Sequence, residues 1–95
     1  MTEKNHQALE ASFVTLAMSV ASSALMSLGL VPDPQTNKSK VNIELARFNI
    51  DLLDMLEKKT KGNLVKEEQD FMTQVLADLK YKFVEVTSHD KTQKS

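Results

Sequence analysis

Three acidic residues are the first candidates for chemistry. Glu44, Asp51 and Asp54 have the side chains that a metal site or an acid–base pair would use. Helical carboxylate metal sites also contain Glu-x-x-His pairs that face the bundle core, and no histidine of this chain lies in a helical pattern. These acids also share a helix face with Arg47 and Lys58. The pattern therefore predicts a solvated charged face, with no metal and no cofactor.

A hydroxyl-rich segment could supply a nucleophile. Thr15, Ser19, Ser22 and Ser23 gather on one side of a predicted helix. An activated serine needs a general base within hydrogen-bond reach, and the two histidines, His6 and His89, lie in the polar ends of the chain. Small hydroxyl residues also allow close helix packing and bond the carbonyl four residues earlier. Packing is the better interpretation, and we expect no enzyme.

A lysine-rich segment, residues 58–63, could bind phosphate. A phosphate loop precedes a helix and carries more glycines, whereas this segment follows one. Lysines near a helix end complement its dipole, and Gly62 is placed to end the helix. The segment therefore predicts helix termination.

Composition limits the remaining function classes. The 95 residues fit one domain. The absence of cysteine excludes disulfides and thiolate metal sites and favours a cytoplasmic location. Twelve basic and thirteen acidic residues are evenly distributed along the chain, so there is no basic patch of the kind that binds nucleic acid or anionic membranes.

The first predicted helix is unusual because residues 11–31 contain no charge. Fourteen of these twenty-one residues are apolar and six are Ser or Thr. No face of such a helix carries the charged residues that are typical of a solvent-exposed face, and monomers seldom expose large apolar patches. Small residues on two opposite arcs would allow close helix approach. The sequence leaves open which arc faces the core and which a partner. The predicted interaction residues are Ala17, Ala21, Ala24, Leu28, Ser19, Ser22 and Ser23.

Capping signals divide the chain into three helices. Gly29 is placed to end the first helix with a positive φ, and Asn42 or Ser39 to cap the second. The second helix, about residues 42–60, has a wide apolar arc formed by Leu45, Phe48, Leu52, Met55 and Leu56, broadened by Ala46, Ile50 and Leu53. The third helix begins near residues 63–66 and has a narrower apolar stripe. From Ser88 onward we expect a polar disordered tail.

Two segments resemble a known family. LGLVPDP (residues 28–34) and KTKGNL (residues 59–64), within a stretch from Phe13 to Thr87, are similar to the bacterial domain-of-unknown-function family 1844. The resemblance implies a small helical bacterial protein and carries no assigned activity. Val65 departs from the Thr or Ser expected as the cap of the third helix, and Asn63 is the alternative cap.

These observations give one overall prediction. The fold is all-α, with three antiparallel helices in a bundle completed by dimerisation. Residues 1–8 form a polar N-terminal segment, 9–87 the domain and 88–95 the tail. The predicted function is a non-catalytic helical protein–protein interaction module that self-associates as a homodimer, with an unknown protein partner as the other possibility. The alternative is a small membrane-associated protein anchored by the first helix, which is less favoured because hydroxyls dilute its apolar run.

Overall fold

The fold consists of three helices, joined by a long connection (residues 28–42) and a shorter one (residues 60–65). The computed structural model describes residues 12–94, and the side chains of residues 12–88. This part contains three helices, α1 (Phe13–Ser27), α2 (Ile43–Lys59) and α3 (Lys66–Lys94), and no strand. The predicted all-helical class and the number of helices are confirmed. The predicted polar segment, residues 1–8, lies outside the described residues.

The first helix begins and ends at polar or flexible caps. The Ser12 side chain accepts a hydrogen bond from the Thr15 N–H at 3.1 Å, which satisfies one free donor of the first turn. At the other end, Gly29 has a φ of +76°. The Gly29 N–H bonds the Met26 carbonyl and the Leu30 N–H bonds the Leu25 carbonyl, each at 3.0 Å. This pair of bonds is a Schellman motif with Gly29 at C′, and it confirms the predicted end of α1.

The connection to α2 is held by hydrogen bonds at both ends. The Asn42 N–H donates to the Ser27 carbonyl at 2.7 Å, so the end of α1 lies beside the start of α2. The Asn42 side chain accepts from the Leu45 N–H at 3.1 Å. Asn42, rather than Ser39, is therefore the cap of α2. Between them, the Asp33 N–H bonds the Lys38 carbonyl at 2.9 Å, which closes the polar loop on itself.

The turn between α2 and α3 uses a glycine and a glutamate. Thr60 is the C-cap of α2 and Gly62 follows with a φ of +88°. Asn63 does not cap α3, because that helix begins at Lys66 and Val65 occupies the capping position. The Glu68 carboxylate accepts from the Val65 N–H at 3.1 Å. This is one half of a capping box, whose other half would need a hydroxyl at residue 65.

The end of α3 differs from the expected domain boundary. We expected the domain to stop at residue 87 and a disordered tail to follow, but α3 continues to Lys94. No Gly or Pro occurs after Gly62, so the chain has no strong stop signal at Ser88.

One hydrophobic core joins the three helices. Helix α1 contributes only alanines to its fully buried centre, whereas α2 and α3 contribute larger aliphatic side chains. Small residues on α1 allow its backbone to come close to its neighbours, and the larger side chains then fill the remaining volume. The buried members of this core are Ala17, Ala21, Ala24, Ile50, Leu53, Met72, Leu76 and Leu79.

The two glycines provide a matched test of the turn geometry. A Cβ on Gly29 would lie 2.7 Å from Val41 Cγ2, whereas a Cβ on Gly62 would meet nothing within 4 Å. Both substitutions to Ala force an L-residue into the left-handed region, at about 1 kcal/mol. We expect Gly62→Ala to lower the free energy of unfolding by about that amount and Gly29→Ala by at least twice as much. Urea denaturation measures both, and equal losses would contradict the close approach of Val41.

The incomplete capping box predicts a stabilising substitution. Val65→Thr supplies the missing hydroxyl at an exposed position, so the free energy of unfolding should rise by about 0.5–1 kcal/mol. Val65→Ala is the control, because it removes the branched side chain without adding an acceptor. Thermal denaturation compares the two. A Thr variant no more stable than the Ala variant would show that residue 65 is not the cap.

Candidate interaction surface

Four large apolar residues form a line along the outside of α2. Leu45, Phe48, Leu52 and Met55 are spaced by three, four and three residues, which places them along one side of a helix. Leu45, Phe48 and Met55 are 46%, 57% and 42% exposed, and Leu52 is half-buried. We call these four residues the α2 stripe. It has the a/d spacing of a helix that packs against another helix.

The core of the chain uses a different side of α2. Ala46, Asn49, Ile50 and Leu53 are buried, and at 100° per residue their centre lies roughly 130° around the helix from the centre of the α2 stripe. Ala46, Ile50 and Leu53, which broaden the predicted apolar arc, are therefore core residues. Most of the residues that form the arc itself are exposed. The residues of the α2 stripe are therefore not part of the core of one chain.

The predicted interaction residues of α1 divide into two groups. Ala17, Ala21, Ala24 and Leu28 are buried in the chain's own core, each no more than 8% exposed, so a partner cannot reach them in this fold. Ser19 and Ser22 are exposed and Ser23 is half-buried. Of the two arcs that the sequence left open, only the serine arc lies on the surface.

Two serine hydroxyls of α1 bond carbonyl groups of the same helix. The Ser19 hydroxyl donates to the Thr15 carbonyl at 3.1 Å, and the Ser27 hydroxyl to the Ser23 carbonyl at 2.8 Å. These are the i−4 bonds expected of hydroxyl residues in helices. They leave the outer surface of α1 smooth and uncharged.

The outer face of α1 and the α2 stripe belong to one surface. Ser23 and Met26 of α1 and Leu45 of α2 line the same depression, near the start of α2. Charged residues of the connection, and Glu44 of α2, also line it: Asp33, Lys38, Lys40 and Glu44. Leu16 lies seven residues before Ser23, on the same side of α1, and is 49% exposed. A partner helix lying along the α2 stripe would therefore also meet α1.

Charged residues flank the α2 stripe on one side only. Glu44, Asp51 and Lys58 are exposed and follow one another at intervals of seven residues, so they line one edge of the stripe. The opposite edge carries the half-buried Leu56 and adjoins the buried Asn49. The surface thus has a charged edge and an uncharged edge.

The three acidic residues do not form a site. The Asp54 carboxylate accepts from Lys58 Nζ at 3.0 Å and from Lys80 Nζ at 3.4 Å. The hydrogen bond from Lys58 lowers the pKa of Asp54 below its ordinary value, with a further contribution from Lys80. Asp54 also raises the pKa of Lys58. Within the described part of the chain, no three His, Cys, Asp or Glu side chains are placed to hold a metal ion.

A second shallow groove lies between α2 and α3. The Arg47 guanidinium carbon is 5.5 Å from the centroid of the Phe83 ring, a cation–π distance. Ile50, Asp51, Lys80 and Val84 complete the lining. Acidic and basic side chains line this groove together, and Arg47 already covers the Phe83 ring. The groove therefore does not present charges of a single sign that would attract a charged ligand.

The lysine-rich segment, the two histidines and the proposed membrane anchor are the other features that the sequence singles out. The segment of residues 58–63 ends α2, as predicted. His6 and the side chain of His89 lie outside the described part. No helix in the described residues is long and apolar enough to cross a membrane, and α1, with fifteen residues, is only about 22 Å long.

Comparison with known proteins places the chain in a family. The family model described as "Domain of unknown function (DUF1844)" matches residues 10–85. The chain belongs to this family. The DUF1844 segment includes α1, α2 and α3 as far as residue 85, and therefore the complete α2 stripe. No curated protein and no solved structure shows a significant match.

The sequence contained the signal for the α2 stripe. The spacing of Leu45, Phe48, Leu52 and Met55 is visible without a structure, but the sequence does not separate these residues from the core-facing ones of the same wide arc. The serine arc was correctly placed opposite the alanines, and the structure adds that the second exposed surface is on α2.

Proposed function

We propose that this protein is a non-catalytic helical interaction module that self-associates. In this proposal the three helices are antiparallel, and a second copy completes the bundle by covering the α2 stripe. The observation that carries it is the exposure of Leu45, Phe48 and Met55 on a helix whose core-facing side is already packed. A contiguous apolar surface with coiled-coil spacing is typical of a docking face.

The size of the surface supports a partner that covers more than one helix. The α2 stripe is about 15 Å long and one helix about 10 Å wide, which is far less than the roughly 800 Å² that each partner buries in a standard interface. The outer face of α1 supplies the rest. Its serines carry no charge, so burying that face removes no ion from water.

The absence of catalytic machinery is part of the proposal. Two of the hydroxyls of α1 are bonded to their own helix, and Asp54 is paired with two lysines. These polar groups have structural partners that account for them without a substrate.

We further propose a cytoplasmic location. It is supported by the absence of cysteine in the sequence and by the short length of α1. Fractionation of cells that express the protein at native level should recover it in the supernatant without detergent. Recovery only in the membrane fraction, with release by detergent and not by salt, would favour the rival function in which α1 anchors the protein to a membrane.

Self-association predicts different effects at two similarly exposed positions. Phe48 and Tyr81 are 57% and 64% exposed, but only Phe48 lies in the α2 stripe. Phe48→Glu should raise the dimer Kd at least thirtyfold, because it removes a central aromatic anchor and buries a carboxylate. Tyr81→Glu, on α3, should change the Kd by less than about twofold.

Sedimentation equilibrium from low to high micromolar concentration measures both values. Circular dichroism shows whether each variant keeps its helices. A folded wild-type monomer over the whole range would contradict self-association, and a different protein would then be the partner of the surface.

A further inference from the structure

The charges along the edge of the α2 stripe favour one direction of a partner helix, parallel or antiparallel to α2, over the other. Glu44, Asp51 and Lys58 are all exposed and lie along this edge, in the order acid, acid, base. A partner helix on the stripe would pass directly beside them. The order of these charges therefore distinguishes one direction of pairing from the other.

We infer that α2 pairs antiparallel with α2 of a second copy, about a two-fold axis that crosses the α2 stripe midway between Phe48 and Leu52. This inference rests on the proposed self-association and specifies its geometry. With the axis at the middle of the stripe, Leu45 packs beside Met55 of the second copy and Phe48 beside Leu52 of the second copy. Each pair occurs twice by symmetry, as expected for an isologous interface. All four stripe residues are then used.

The antiparallel direction brings opposite charges together at both ends. Glu44 comes level with residue 56 of the second copy, only two residues, or about 3 Å along the axis, from its Lys58. Two Glu44–Lys58 pairs therefore form across the interface. In a parallel dimer each stripe residue would meet the same residue of the second copy. Lys59 lies at the next position of the repeat, four residues after Met55. A parallel dimer would therefore bring two Lys59 side chains together, which is unfavourable.

The contacts within one chain leave Lys58 available for this role. Its side chain is 75% exposed although Nζ bonds Asp54 at 3.0 Å. Asp54 has a second partner in Lys80, at 3.4 Å. Lys58 can therefore turn toward Glu44 of the second copy without leaving the Asp54 carboxylate unpaired.

The same geometry creates one unfavourable contact. Asp51 lies near the axis, so the two copies of Asp51 come close to each other. Like charges across a helix pair weaken it. The dimer is thus stabilised at its ends and weakened at its centre, and this pattern is specific to the antiparallel arrangement.

Charge exchange between two variants tests the direction. In Glu44→Lys both end pairs become Lys–Lys, and in Lys58→Glu both become Glu–Glu. Each variant alone should dimerise with a Kd about tenfold higher than the wild type, since two exposed pairs are lost. An equimolar mixture restores both opposite-charge pairs, so the mixed dimer should have a Kd within about threefold of the wild type.

The mixture is the decisive measurement because both variants also alter α2 itself. Glu44 is in the first turn of the helix and Lys58 in the last, so each substitution weakens the interaction with the helix dipole. That effect is present in each chain whether alone or mixed, whereas rescue requires contact between copies. Sedimentation velocity with one variant fluorescently labelled follows the mixed dimer. In 1 M salt the rescue should largely disappear, because the Debye length falls to about 3 Å.

A second substitution tests the axis. Asp51→Asn removes the central repulsion and should lower the dimer Kd about threefold or more. A wild-type dimer without rescue in the mixture, or an unchanged Kd in Asp51→Asn, would overturn the antiparallel arrangement while leaving self-association intact. A wild-type monomer at all concentrations would instead contradict the proposed function, so the two failures are distinguishable.

Discussion

The close packing of the alanine face of α1 is the constraint on which the rest of the structure depends. Ala17 and Ala24 are fully buried and Ala21 nearly so, so the backbone of α1 lies close to the core and little side-chain volume is needed on that side. Ala46 gives α2 a similarly small residue on its own buried side. Because these small residues, together with Ile50 and Leu53 of α2, already fill the core, the large residues of the α2 stripe have no place inside one chain. The exposed stripe is therefore a direct consequence of how the core is made.

Caps and turns fix the lengths and positions of the helices. Gly29 ends α1 through two backbone hydrogen bonds, and Asn42 both caps α2 and bonds the Ser27 carbonyl. The loop between them is closed by its own hydrogen bonds, and the bond from Asn42 to Ser27 holds α1 and α2 together at one end. The connection thereby determines which faces of the two helices are adjacent, and places the uncharged outer face of α1 beside the α2 stripe.

The local features of the fold could be predicted from the sequence, whereas the choice between faces could not. Gly29 and Asn42 act through chain neighbours, so residue type and spacing identify Gly29 and limit the cap of α2 to Asn42 or Ser39. In α2, by contrast, two apolar sets share one wide arc, and periodicity alone does not say which set α1 and α3 cover. For the same reason the alanines of α1 were proposed as contact residues, although they are core. The continuation of α3 was missed because a change to polar composition was interpreted as an end where no stop residue exists.

The alanine face also determines where the sequence of this family can change without loss of the fold. At Ala17 and Ala24 any larger side chain would have to displace packed neighbours, and such overpacking typically costs about 1–3 kcal/mol. In a single chain, Leu45 and Phe48 are free of that restriction, since their side chains extend into water. Substitutions at these small buried residues would thus cost the most folding stability and would be tolerated least. The identity of the large exposed residues would be maintained only by selection for what binds them.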